Sequence, residues 1–246
     1  MKIKIATVDS RIDPEAERKL TMLGYRVLKL PPFSRLSEAV ASHPDMLLFR
    51  IGNEYISYAD YCEEASYVFS DLSLLSVGTG ARFTFTADKV SPEYPCDVGL
   101  NALVIGNKLF CRKESASHTL IEAAVREGIE IVNVKQGYPA CTVLKLSDEA
   151  AITADLGMAK ILEKHGIRVT LIAEGGISLP PHKYGFIGGA AEAYCGKLFF
   201  FGDVTTHPDG KKIIDAAESE GLAVVSLSDG VLRDLGGIIF AEGNIN

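Results

Sequence analysis

GIEIVNVKQGYPACTVLKLSDEAAITADLG (128–157) and GIRVTLIAEGGISLPPHKYGFIGGAAEAYCG (166–196) are two copies of one phrase. Each opens on a glycine placed to end a helix, because glycine enters the left-handed cap without a Cβ clash. An alternating strand follows, then a glycine-containing crossover, a second strand and a tight turn into a third. The phrase extends in both directions. Toward the N-terminus, Gly24 stops a helix before strand 25–30, and strands 46–51 and 98–105 run into hairpin turns at Gly52-Asn53 and Gly106-Asn107. Toward the C-terminus, Gly221 stops helix 208–220 and is followed by strands 222–227 and 235–240.

In order, strand–helix–strand–strand occurs five times within one domain, in units of about 1–52, 53–106, 107–147, 148–195 and 196–246. Asp13-Pro14 starts the first helix and Asp155 caps the fourth, since aspartate accepts from free N–H groups and proline fits a first turn. Ser57 is the expected cap of helix 57–69, which carries Tyr58, Tyr61, Cys62, Ala65 and Phe69 at helical spacing. Helix 115–127 has Leu120, Ile121, Ala124 and Val125 as its expected buried stripe. Strand 72–77 leads into a long loop, 78–95, of the kind that often carries function. Repeats of about 40–55 residues fall in the range of propeller-like arrays. A final strand laid beside the first would close the ring non-covalently and leave neither terminal strand an open edge. An ordinary doubly wound sheet would not need the hairpins. The expected fold is α/β, a five-fold pseudo-symmetric α/β propeller of repeated β-α-β-β units around a central channel.

The 246 residues are 47% hydrophobic, enough for a substantial core. The net charge is −7 and the longest basic block is Lys211-Lys212. An acidic surface repels phosphate backbones, so no nucleic-acid partner is expected. No apolar run is long enough to span a bilayer, so no membrane partner is expected either. MKIKIATVD alternates too strictly for a signal peptide, which points to a cytoplasmic protein. Five cysteines without a C-x-x-C pair fit a reduced compartment. Glycine runs at 77–80 and 185–189 precede a loop or a strand instead of a helix, which argues against dinucleotide or P-loop binding. No cofactor is expected.

The five-unit pattern, the stop glycines Gly24, Gly128, Gly166 and Gly221, the hairpin turns and the terminal DLGGIIF (234–240) together resemble the pentein superfamily, the guanidino-group-modifying-enzyme fold. VKQGYPAC (134–141) and YGFIGG (184–189) are similar to phrases of an uncharacterised bacterial branch of it. The resemblance covers the whole chain as architecture. It implies five units around an axis with the site at one mouth of the channel. Arginine-modifying penteins use a nucleophilic cysteine in the last unit, near a glycine pair, with a histidine and carboxylates. Here Gly236-Gly237 is followed by Ile238, Ile239 and Phe240, and no cysteine comes after Cys195. No catalytic residue therefore carries over by motif.

On that architecture the crossovers should approach the channel, and their polar residues are the site candidates. Cys141 is the candidate nucleophile and His182 the candidate acid or base. A thiol needs a base or a positive field to ionise near neutrality, and Lys135 or His182 would supply it. Asp97, Asn101, Lys135, Gln136, Tyr184 and Asp234 are the candidate substrate-binding residues. Cys62 and Cys111 read as packing, Cys195 as an exposed turn residue, and His43 as a solvent-facing or helix-end histidine. Cys96, Cys141 and His182 lack ligand spacing, so no metal site is expected. Two functions compete: a hydrolase-like enzyme on a guanidino or amide substrate, and a non-catalytic pentein that binds a small molecule or a protein. The acidic charge favours a cationic ligand.

Overall fold

Residues 2–73 and 80–244 are described in the computed structural model. Five three-stranded sheets share one strand pattern: an antiparallel pair, then a helical crossover to a third strand parallel to the second; in four of them the antiparallel pair is a hairpin. One sheet holds Leu48–Ile51, Glu54–Tyr58 and Arg82–Thr86. The next holds Leu103–Ile105, Lys108–Cys111 and Glu130–Asn133. Then come Val143–Lys145, Ala150–Thr153 and Arg168–Leu171, and Ala191–Tyr194, Lys197–Phe200 and Ala223–Ser226. Both ends of the chain build the fifth sheet, in which Ile239–Asn244 runs antiparallel to Lys2–Asp9 and Arg26–Leu30 runs parallel to it. A two-stranded sheet pairs Ile177–Ser178 with Leu232–Arg233. Among the described residues no sheet closes on itself into a barrel.

The glycines explain why four crossovers repeat. Gly24, Gly128, Gly166 and Gly221 have φ of 88°, 68°, 82° and 71°. The residue after each donates its N–H five positions back into the helix: Tyr25 to Leu20, Ile129 to Ala124, Ile167 to Leu162 and Leu222 to Ala217. That bond satisfies an orphan carbonyl and turns the chain toward the third strand. At the helix starts, Asp13 and Asp155 accept from the backbone as expected.

The structure departs from the sequence reading where short apolar runs are ambiguous. Segments 46–51, 140–146 and 184–194 are not strands throughout. Each includes or follows a single helical turn, Pro44–Leu47, Pro139–Thr142 or Ile187–Ala190, before the strand proper. Runs this short carry no period that separates a turn of helix from a strand. Helix 57–69 is two helices, Ala59–Glu64 and Ser66–Ser73. Ser57 is no cap: it lies in a strand and its hydroxyl donates to the Leu47 carbonyl at 2.7 Å. The strand expected at 72–77 falls on helix at Leu72 and Ser73 and otherwise lies outside the described residues. The loop expected at 78–95 contains strand Arg82–Thr86. Val125 faces outward; Leu120, Ala123 and Ala124 are the buried stripe of helix His118–Arg126.

The segments leading into the five first strands touch one another. The Asp45 amide donates to Gly236 O and the Gly237 amide to Gly189 O. At Gly188 a Cβ would lie 2.1 Å from Ala140 O, so glycine is required for that approach. The Ala140 amide donates to Asn101 Oδ1, and Asn101 Nδ2 returns to Asp45 O.

Candidate functional site

Those converging segments form one end of a cavity of about 420 Å³. Its wall takes residues from the first strand of every three-stranded sheet, including Phe49, Leu103, Leu144, Glu192 and Phe240. Its charged groups are Asp45, Glu192, Lys145 and Arg50. Burial pushes Glu192 up to about 8, with Asp45 adding repulsion and Lys145 opposing it. Burial likewise pushes Asp45 up to about 6, against hydrogen bonds from Cys141 and Asn101. The Asp45 Oδ1 atom is buried without a hydrogen-bond partner.

Behind Asp45 lies a buried polar cluster. The Cys141 thiol donates to Asp45 Oδ2 at 2.8 Å and accepts from Asn101 Nδ2 at 3.0 Å. His43 is wholly buried, with Nδ1 at 4.0 Å from Asp45 and 3.8 Å from Asp234, and Nε2 at 3.8 Å from Asp9. Neither imidazole nitrogen has a hydrogen-bond partner. Burial lowers its pKa to about 4, so the ring is neutral near pH 7. Asp9 is held by Arg11, which brackets it with Nε and Nη2. Asp234 accepts from the amides of Phe186 and Gly236, yet burial pushes it up to about 7.

This environment bears directly on the candidate nucleophile. Cys141 is 3% exposed. Burial raises its pKa well above that of a free thiol, and Asp45 and Asp234 raise it further. None of the principal influences on it is a cation. Lys135 and His182, expected beside it, are both exposed on their loops, as is the whole of 180–183 (PPHK). Cys141, Asn101 and Asp234 are brought together. Asp97 stands one step away, accepting from Tyr138 Oη at 2.6 Å. Gln136 donates to Asp155, and Tyr184 donates to Glu174 on the surface. Cys96 is exposed and does not join Cys141. Among the described residues no group of three His, Cys, Asp or Glu side chains can hold a metal ion, and no helix is long and apolar enough to cross a membrane.

The buried places of His43 and Asp45 differ from what the sequence suggests, since His43 reads there as a solvent-facing or helix-end histidine. A signal was present: HPDM (43–46) and YPAC (138–141) carry proline at the same point of the repeat. In that register His43 corresponds to Tyr138 and Asp45 to Ala140, the residue before Cys141.

A family model described as "Family of unknown function (DUF6873)" matches residues 7–239. The chain belongs to that family. No curated protein matches it by sequence. Solved structures do match in fold. A DDAH from Pseudomonas aeruginosa, in complex with citrulline, is 10% identical over 91% of this chain and 90% of its own, with a TM-score of 0.57. An amidinotransferase from Microseira wollei is 14% identical over 91% and 88%, at 0.53. An inosamine-phosphate amidinotransferase from Streptomyces griseus is 16% identical over 86% and 72%, at 0.52. This chain therefore shares the fold of those structures, the pentein fold.

Proposed function

We propose that the five three-stranded sheets form a five-fold pseudo-symmetric propeller around a central channel, and that the protein binds a small cationic molecule there without thiol chemistry. The observation that carries the reading is the pair Asp45 and Glu192 in one cavity lined by all five first strands. Each carboxylate raises the cost of ionising the other, and a ligand cation would relieve both. The net charge of −7 adds long-range attraction for a cation. Asn101 and Asp234 support the inner end of the site; Lys135, Gln136 and Tyr184 stay outside it. The pentein fold makes guanidino compounds the first ligands to try, though fold alone does not set function.

Against a thiol hydrolase stands the position of Cys141. A nucleophilic thiol is activated by a base, a cation or a lowered pKa. Cys141 has a carboxylate on one side, a neutral amide on the other, and a raised pKa. Agmatine and arginine should bind wild type and Cys141→Ala with equal affinity, with no ammonia, urea or citrulline formed. Turnover that Cys141→Ala abolishes would restore the hydrolase reading and overturn this one.

A further inference from the structure

The helical turns Pro139–Thr142 and Ile187–Ala190 each line two cavities. Ala140 and Gly188 belong to the cavity of Asp45 and Glu192, whereas Thr142 and Ile187 line a second one, of about 310 Å³; no residue lines both. The other walls of the second cavity are segments 154–157 and 172–175, which follow strands Ala150–Thr153 and Arg168–Leu171, together with Ile177 and segment 184–186.

These walls change character with depth. Thr142, Ile172, Ile177 and Ile187 are buried, and the Thr142 hydroxyl is spent on Tyr138 O at 2.9 Å, so the side chains of the floor offer hydrocarbon. At the rim Leu156 is 62% exposed, Glu174 is exposed, and Asp155, Tyr184 and Phe186 are half-buried. The rim is held in place. The Ala173 amide donates to Asp209 Oδ2 at 2.6 Å, and a Cβ at Gly176 would lie only 2.7 Å from His207 and 2.8 Å from Pro208. Tyr184 Oη donates to Glu174 Oε2 at 2.9 Å, tying the two ends of segment 174–184. Asp155 Oδ1 accepts from the Gly157 and Met158 amides, and Oδ2 accepts from Gln136 Nε2 at 2.7 Å.

The charge of this rim is one-sided. No Lys, Arg or His lines the cavity, and every hydrogen-bond donor to Asp155 and Glu174 among the described residues is neutral. Lys183 lies over the Tyr184 ring, 5.9 Å from its centre, instead of pairing with Glu174. Two carboxylates at the mouth of a hydrocarbon pocket repel an anion, and a neutral apolar molecule would leave their charge uncompensated. A volume of about 310 Å³ is at the small end of the range for ligand pockets, which suits one small molecule.

We infer that this cavity is a second ligand site, taking a primary amine on an apolar body, with the hydrocarbon against Ile172, Ile177 and Ile187 and the ammonium at the carboxylates of Asp155 and Glu174. The site is independent of the function proposed for the other cavity, whose wall carries Ile238 and Ile239.

The experiment is methyl NMR of the isoleucine-labelled full chain, titrated with 4-phenylbutylamine. The ring current of its phenyl group should shift the methyls of Ile172, Ile177 and Ile187 saturably and leave those of Ile238 and Ile239 in place. 4-Phenylbutyrate, the same body with the opposite charge, should bind at least tenfold more weakly, and excess agmatine should not displace the amine. Glu174→Gln keeps an acceptor for Tyr184 and should raise the Kd about threefold, the scale of one exposed ion pair. Adding Asp155→Asn, which preserves the helix cap, should bring the loss to about tenfold. Absence of saturable shifts at the three isoleucines, their appearance at Ile238 and Ile239 instead, equal binding of 4-phenylbutyrate, displacement by agmatine, or an unchanged Kd in Glu174→Gln overturns the inference. Saturable shifts at the three isoleucines without any agmatine binding would support this site and sink only the reading of the other cavity.

Discussion

Gly188→Ala should be among the most damaging single-methyl additions in this protein. The added Cβ would stand 2.1 Å from Ala140 O and 2.7 Å from the carbonyl oxygens of both Cys141 and Val143. Real Cβ contacts essentially never fall below 3.0 Å, so the chains must part by almost 1 Å at the tightest point. All three neighbours are backbone, so no side chain can rotate away. Local propensity predicts the opposite sign: Gly188 lies in a helical turn, where alanine is favoured by about 1 kcal/mol. Overpacking typically costs about 1–3 kcal/mol, and a clash with three fixed oxygens belongs at or above the upper end. For a chain of this size 3 kcal/mol corresponds to roughly 6–12 °C in Tm. Urea and thermal unfolding would measure it beside Gly24→Ala. Gly24 has open space around it but a φ of +88°, so only backbone strain of about 1–2 kcal/mol applies. If Gly188→Ala loses no more stability than Gly24→Ala, the close convergence of these segments is wrong.

Cys141 should resist alkylation in the folded chain and label only as the protein unfolds, while Cys195 labels at once; fast Cys141 labelling under native conditions would show an open, activated thiol. Stability should fall as pH rises above 6.5. Asp45, Asp234 and Glu192 hold protons up to about 6, 7 and 8 in the fold, against ordinary values of 3.8, 3.8 and 4.5. The folded chain then binds more protons than the unfolded one, and their stabilisation is present below about 4 and lost as pH rises through those folded values. His43 acts in the opposite sense, since its folded value of about 4 lies below 6.5, so its contribution grows between those limits. Above 6.5 the decline comes from Asp234 and Glu192, and at higher pH the buried thiols Cys111 and Cys141, whose pKa values burial also raises, act in the same sense. Glu192→Gln should flatten the decline in Tm near pH 8, and an unchanged slope would remove Glu192 from the account.

Much of the architecture was legible because it is written in local chemistry. Gly24, Gly128, Gly166 and Gly221 mark helix ends by a backbone conformation that other residues resist, and Gly52, Gly106 and Gly196 mark the hairpins in the same way. The helical turns at 44–47, 139–142 and 187–190 were not legible as such: they are held by contacts between distant segments. The candidate site divides along the same line. Cys141, Asn101 and Asp234, which the fold brings together, can be singled out from the sequence because small and polar residues on the crossovers stand out. His182 was misleading because a loop histidine and a buried one look alike without their neighbours. His43 depends on Asp9, Asp45 and Asp234, which meet only after folding.

The most direct test of a cation site in the cavity of Asp45 and Glu192 is calorimetric titration with agmatine at pH 7, in two buffers of different ionisation enthalpy. Glu192, pushed up to about 8, is mostly protonated there. Binding a cation should ionise it and release about one proton to the buffer. Glu192→Gln should abolish that release and weaken binding by about tenfold, the loss of one charge-assisted contact of about 1.4 kcal/mol. Absence of binding to the wild type, or proton release and affinity that survive in Glu192→Gln, would contradict the account.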